Sequence, residues 1–175
     1  MTRIDPEKAG KIAVENFHQG FNCAQSLALA FQPYTELDRD MLLKLSSPFG
    51  GGMGRLREIC GAFSGSLMIL GLLHGYDTPE TGEKKAELYA EVQAFASACR
   101  EKNGSIVCHE LLGLMPGPQT PVPEKRTDEY YRKRPCGEII GNTAVLLAEF
   151  LNDMADREAA EQEKTNAATD PAVKL

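Results

Sequence analysis

Apolar residues along this chain recur at three- and four-residue intervals and nowhere alternate over a useful length, so the elements they predict are helices. Asp5-Pro6-Glu7 opens the first helix, with an N-cap, a proline at the first helical position and an acid in the first turn. Its stripe is Ile12, Ala13 and Phe17, and Gly20 ends it. Asn22 caps a second helix through Cys23, Ala24, Leu27, Ala28 and Phe31, which stops near Pro33. Asp38 or Asp40 opens a short third through Met41, Leu42 and Leu45, ending before Pro48. Phe49-Gly50-Gly51-Gly52-Met53-Gly54-Arg55 follows, too rich in glycine for regular structure.

From Ile59 to Tyr76, 18 consecutive residues carry no formal charge, the lower limit for a membrane span. Four glycines, two serines and His74 interrupt the run, so a buried central helix explains it better. Gly61, Gly65, Gly71 and Gly75 would let other backbones, or a flat cofactor, approach that helix closely. Thr81 to Lys102 reads as a long amphipathic helix with Ala86, Leu88, Tyr89, Val92, Phe95 and Ala96 inward. Ser105 caps a short helix through Ile106, Cys108, Leu111 and Leu112, closed by Gly113. Met115 to Lys125 holds four prolines and reads as an extended surface connection. Pro135 and Cys136 open the last core helix through Ile139, Ile140, Ala144, Leu147 and Phe150. The expected fold is all-α: one compact bundle of six or seven helices over residues 1–153, around the glycine-bearing apolar helix. Residues 154–175 are expected to be an acidic, flexible tail.

Composition adds limits. At 175 residues, 42% hydrophobic and 25% charged, the chain has the make-up of a single globular domain. A net charge of −6 leaves no basic surplus to neutralise phosphates, so nucleic acid is not the expected partner. Tyr130-Tyr131-Arg132-Lys133-Arg134 is the one basic, aromatic run, and it reads as a solvated loop. The polar start, Met1 to Lys8, lacks the apolar core of a signal peptide, which points to the reducing cytosol. Five cysteines there are not expected to form structural disulfides.

Where those cysteines fall is the informative feature. Cys23 follows the capping Asn22, Cys60 lies near the start of the central helix, Cys108 lies three residues after Ser105, and Cys136 follows Pro135. A helix N-terminus favours thiolate over thiol, and basic neighbours add to this. Arg55 and Arg57 lie near Cys60, while Arg132, Lys133 and Arg134 precede Cys136 and make it a plausible attacking thiolate. Cys99 falls late in a long helix and needs no role beyond packing. Two readings stay open: a functional cluster, or independent core thiols. Gaps of 37, 48 and 28 residues separate the four, with no Cys-x-x-Cys pair and no Cys-x-x-Cys-His. Neither a zinc ribbon, a thioredoxin-like motif nor covalent c-type haem is indicated.

Taken in order, these residues resemble the C-GCAxxG-C-C family, whose members are described as putative redox-active proteins. The resemblance rests on Phe17-x-x-Gly20-x-Asn22-Cys23-Ala24-x-Ser26, Phe49-Gly50-Gly51-Gly52-Met53-Gly54 and Cys60-Gly61-Ala62-x-x-Gly65 with Met68, Gly71-Leu72 and Gly75. It continues through Gly104-Ser105-x-x-Cys108-x-Glu110-Leu111-Leu112-Gly113 and Cys136. The family label places glycine before cysteine, whereas this chain has Cys60 before Gly61. The resemblance implies a redox role carried by Cys23, Cys60, Cys108 and Cys136, with Cys99 outside the set. A similar domain occurs in split-Soret cytochromes, but the haem-attachment motif is missing here, so haem is not carried over.

Three functions follow as expectations. The first is thiol–disulfide chemistry, or an iron–sulfur or other electron-carrying centre, at four converging thiols. The second is a non-catalytic zinc site built from the same thiolates. The third is an interaction module whose cysteines are only core. Gly50, Gly51, Gly52 and Gly54 offer backbone N–H groups to an anion or cofactor, or else a tight passage against the cysteines, as do Gly61 and Gly65. His18, His74 and His109 are too scattered for a metal motif, although His109 neighbours Cys108. A homodimer through the apolar helix or the proline-rich arm is compatible with the sequence, and the redox partner is unspecified.

Overall fold

The computed structural model describes residues 2–79 and 82–169, the last three as backbone alone. The local signals place most helix starts. α1 (Pro6–His18) is capped by Asp5, whose side chain accepts from the Lys8 N–H at 3.0 Å. α2 (Cys23–Phe31) begins with a reciprocal cap: Asn22 accepts from the N–H groups of Ala24 and Gln25, and Gln25 accepts from the Asn22 N–H. Asp38 caps α3 (Arg39–Ser46). α4 (Gly50–Met53) is a single turn, followed by α5 (Gly61–His74), α6 (Gly82–Asn103), α7 (Cys108–Leu111), α8 (Asp128–Lys133) and α9 (Cys136–Thr169). Among the described residues there is no strand, only an isolated antiparallel bridge between Ile59 and Val107. The fold is all-α, and no described helix is long and apolar enough to cross a membrane.

α2 lies in the middle, packed by α1, α3, α5 and α9, and α9 also covers α1, α5 and α6. The core runs through Phe17, Leu27, Phe31, Leu70, Phe95, Ile140, Leu147 and Leu151, all fully buried. Close helix contacts depend on missing side chains. A Cβ on Gly65 would stand 2.8 Å from the Ala24 carbonyl oxygen, and one on Gly10 would stand 2.8 Å from Val145 where α1 crosses α9. Gly71, by contrast, faces open space and brings no backbone near.

Several expectations need correction. Ala86 and Tyr89 lie on the exposed side of α6, because only its second half meets the core, through Phe95, Ala96 and Cys99. The expected start at Thr81 lies outside the described residues. The stretch beyond Asp153 does not leave the helix: α9 runs on to Thr169, with Met154 buried, Arg157 paired to Glu91 and Glu158 paired to His74. Residues 170–175 lie outside the described part. The Tyr130–Arg134 run is not an irregular loop but helix α8 and its C-cap, capped by Thr127 and packed through both tyrosine rings onto Phe17.

Candidate thiol site

Three of the four cysteines open a helix and the fourth caps one, so separate N-termini bring them to one place. Cys23 is the first residue of α2 and Cys136 the first of α9. Cys60 is the N-cap of α5, and Cys108 opens α7. Ser105 does not cap α7 as expected. Its hydroxyl accepts from the Val107 N–H and donates to Glu110, shaping the turn before the helix. Cys60 and Cys108 are aligned by the bridge between their segments: the Cys60 N–H donates to the Ile106 carbonyl at 2.8 Å, and the Cys108 N–H to the Glu58 carbonyl at 2.6 Å.

The glycine run fits its backbone against this pair. Five successive residues, Gly51 to Arg55, have positive φ, so α4 winds left-handed, a conformation that disfavours side chains other than glycine. A Cβ on Gly52 would lie 2.5 Å from the Cys108 Cβ, and one on Gly50 would lie 2.6 Å from Asn22. On α5, Gly61 meets Cys23 and the Phe49 carbonyl, and Gly65 meets Ala24. The space beside Gly50, Gly52, Gly61 and Gly65 is therefore filled by protein, and at Gly61 and Gly65 it is other backbone that makes the close approach. Gly51 has a different part, since its backbone N–H helps to lower the Cys23 thiol.

All four cysteines line one cavity of about 20 Å³, together with Gly61, Leu111, Leu112, Ile139 and Ile140. Within it the sulfurs are not equivalent. The Cys136 thiol, more than the N–H groups of Gly51 and Cys23 and the charge of Arg126, lowers the Cys23 thiol to about 7 against the pull of burial. The Cys23 side chain, joined by burial, pushes the Cys136 thiol up. Burial, with the Cys23 charge nearby, pushes Cys60 up to about 12. Burial also raises Cys108, opposed by the Arg57 guanidinium, whose Nη1 lies 3.8 Å from its sulfur. Cys99 sits apart in the core, pushed up to about 12 by burial alone against Arg100.

Cys136, expected as a plausible attacking thiolate, is here the raised partner of the lowered Cys23. In the basic run before Cys136, Lys133 pairs with Glu129 and Arg134 with Glu124 and the Tyr130 ring, and the Arg134 charge lowers Cys136 and Cys108 only as a lesser influence. Arg57 serves Cys108, not the nearer-in-sequence Cys60. The histidines take no part: the His109 Nδ1 bonds the Arg57 carbonyl, His18 stacks on Tyr131, and His74 pairs with Glu158.

Two residues of the site carry no sequence signal. The Arg126 guanidinium stacks 4.6 Å from the Phe17 ring and 4.8 Å from that of Tyr130, which holds its charge near Cys23 without a carboxylate. Gln119 accepts from Nε and Nη2 of Arg57 at 2.9 and 2.7 Å. Both stand in the proline-rich connection, where no periodicity marks a position as inward.

Among the described residues, no three Cys, His, Asp or Glu side chains are placed to share a metal ion. All four thiols nevertheless line one cavity, and cysteine thiolates are the donors that structural zinc and iron–sulfur clusters take.

No curated protein matches the chain. Among solved structures, the split-Soret cytochrome c from Desulfovibrio desulfuricans ATCC 27774, described for a novel iron centre, is similar with a TM-score of 0.62 at 15% identity. The match covers 89% of this chain and 71% of that one, and at such identity it shows a shared fold. The family model described as "Putative redox-active protein (C_GCAxxG_C_C)" matches residues 21–150, a span that takes in Cys23, Cys60, Cys108 and Cys136, and the chain belongs to that family.

Proposed function

We propose that this protein is a thiol–disulfide redox protein in which Cys23 attacks and Cys136 resolves. The observation that carries the reading is the cavity shared by Cys23 and Cys136, the first residues of α2 and α9, in which the Cys23 thiol is lowered and the Cys136 thiol raised. It supplies a thiolate and a second thiol already within reach of it. The Cys23 thiolate attacks a substrate disulfide, the substrate S–S bond breaks, and one half leaves as thiolate. The Cys136 sulfur, losing its proton, then attacks the Cys23 sulfur of the mixed disulfide. The second half leaves as a thiol, and a Cys23–Cys136 disulfide remains. The substrate has gained two electrons and the pair has lost them. An external dithiol returns the pair to its starting state.

Arg126 is a positioning residue that supplies charge to Cys23, and Cys60 and Cys108 complete the enclosure. The reading places the protein in the reducing cytosol, where the pair is kept as thiol and thiolate.

Trapping tests it. A Cys136→Ser chain mixed with a small symmetric disulfide should stop at a mixed disulfide on Cys23, whereas the unaltered chain should proceed to the internal disulfide and release both halves. Slow, equal modification of all five cysteines would count against the proposal.

A further inference from the structure

The cavity under the Cys23–Cys136 pair is small enough to restrict its occupant. At about 20 Å³ it has roughly the room of one water molecule or one sulfur atom. Its wall of four cysteines, one glycine and four aliphatic side chains gives a water few of the polar partners it needs. A soft, polarisable atom suits that wall better.

The second observation is Arg57. A guanidinium stays charged at any working pH, and its burial without an anion is costly. Arg57 is 3% exposed, and among the described residues it forms no ion pair with a carboxylate. Its Nε and Nη2 are held by the neutral Gln119 amide, and its Nη1 is directed at the Cys108 sulfur. A buried cation therefore stands behind Cys108, one of the four cysteines that line the cavity with Cys23, with no carboxylate opposite it.

We infer that the cavity receives a single sulfane sulfur, carried as a persulfide on Cys23, with Arg57 as the counter-charge to its terminal sulfur. The inference rests on the exchange reading for the nucleophile and adds a substrate class, the hydropersulfides and inorganic polysulfides. In the loading step the Cys23 thiolate attacks the outer sulfur of RSSH. The donor S–S bond breaks, RS⁻ leaves, and Cys23–S–SH forms without any further oxidant. In the release step the Cys136 sulfur attacks the inner sulfur of Cys23. The bond to the terminal sulfur breaks, that sulfur leaves with the Cys136 proton as hydrogen sulfide, and the Cys23–Cys136 disulfide remains.

The experiment treats the full chain and its Cys136→Ser form anaerobically with sodium tetrasulfide, then reads intact and peptide masses and released sulfide. The unaltered chain should release hydrogen sulfide and end as the internal disulfide. The Cys136→Ser chain should keep one added sulfur on Cys23, removable by cyanide as thiocyanate. In a Cys136→Ser, Arg57→Gln chain that sulfur should be lost roughly tenfold faster, the scale of one charge-assisted hydrogen bond. If that double variant fails to fold, Gln119→Ala in the Cys136→Ser chain loosens Arg57 instead and should shorten retention in the same direction. Sulfur distributed over the cysteines without preference for Cys23 overturns the inference. So does a Cys23 that stays unmodified by tetrasulfide while still forming a mixed disulfide with a small disulfide, a result that leaves the exchange reading standing. A Cys23 inert to both probes defeats the two together.

Discussion

Replacing Cys136 with alanine removes the strongest influence that lowers the Cys23 thiol. With that thiol at about 7, about half of Cys23 is thiolate at neutral pH. An unperturbed thiol at about 8.5 is roughly 3% thiolate there. Without the Cys136 donor, burial pulls Cys23 back to the ordinary range or beyond, and the thiolate population at pH 7 falls about fifteenfold. Each remaining thiolate is roughly fivefold more nucleophilic, because reactivity rises with basicity along a slope of about 0.4–0.5. The net alkylation rate therefore falls only about threefold at pH 7 and about sixfold at pH 6. The clearer signature is the midpoint of the pH–rate profile, which moves upward by about 1.5 units or more. Iodoacetamide rates, read on the Cys23 peptide by mass spectrometry across both midpoints, measure it. Arg126→Met should shift the midpoint in the same direction by less, since Arg126 ranks behind the Cys136 donor and the Gly51 N–H. An identical midpoint in the native and Cys136→Ala chains, or a native midpoint in the ordinary thiol range, would refute the reasoning.

Two glycines of α5 should respond to alanine with opposite signs in thermal melts. Gly65→Ala drives a Cβ into the Ala24 carbonyl and should cost about 1–3 kcal/mol, whereas Gly71→Ala meets nothing and should add about 0.5–1 kcal/mol of helix preference. Gly52→Ala combines a positive φ with the Cys108 collision and should cost at least about 2 kcal/mol while disordering Cys108; a melting temperature within a degree of native would contradict this. Denaturant titrations across pH should show the fold weakening in alkali. Cys60 and Cys99 are raised to about 12, so their contribution is complete below the unfolded value of about 8.5 and is lost as pH rises toward 12, roughly 2 kcal/mol per thiol by pH 10. Cys99→Ala should flatten that alkaline slope by its share, and an unchanged slope would count against its buried, neutral state. The lowered Cys23 acts in the other direction, its contribution being present above about 8.5 and lost as pH falls through 7.

What the sequence determined by itself is whatever a few neighbouring residues decide. Asp5, Asn22 and Asp38 start their helices through side-chain oxygens that reach N–H groups only two or three residues ahead, so the caps are legible in the order of letters. The same logic put Cys23 and Cys136 at helix starts, set Cys99 apart as packing, and made the chain all-α. Tertiary structure alone decided which sulfur meets which. That choice depends on how closely whole helices approach, and the approach is set where Gly10, Gly61 and Gly65 meet a neighbour whose identity no local pattern reveals. It also decided the charges at the site. Arg126 and Gln119 come from an irregular connection, and Arg134, adjacent to Cys136 but one, turns to Glu124 and Tyr130 instead. The continuation of α9 past Asp153 belongs to the same class, because Met154 is buried and Arg157 and Glu158 find partners only on α6 and α5. Helix starts are short-range hydrogen-bond problems, whereas a thiolate and its counter-charges depend on residues brought together from a hundred positions apart.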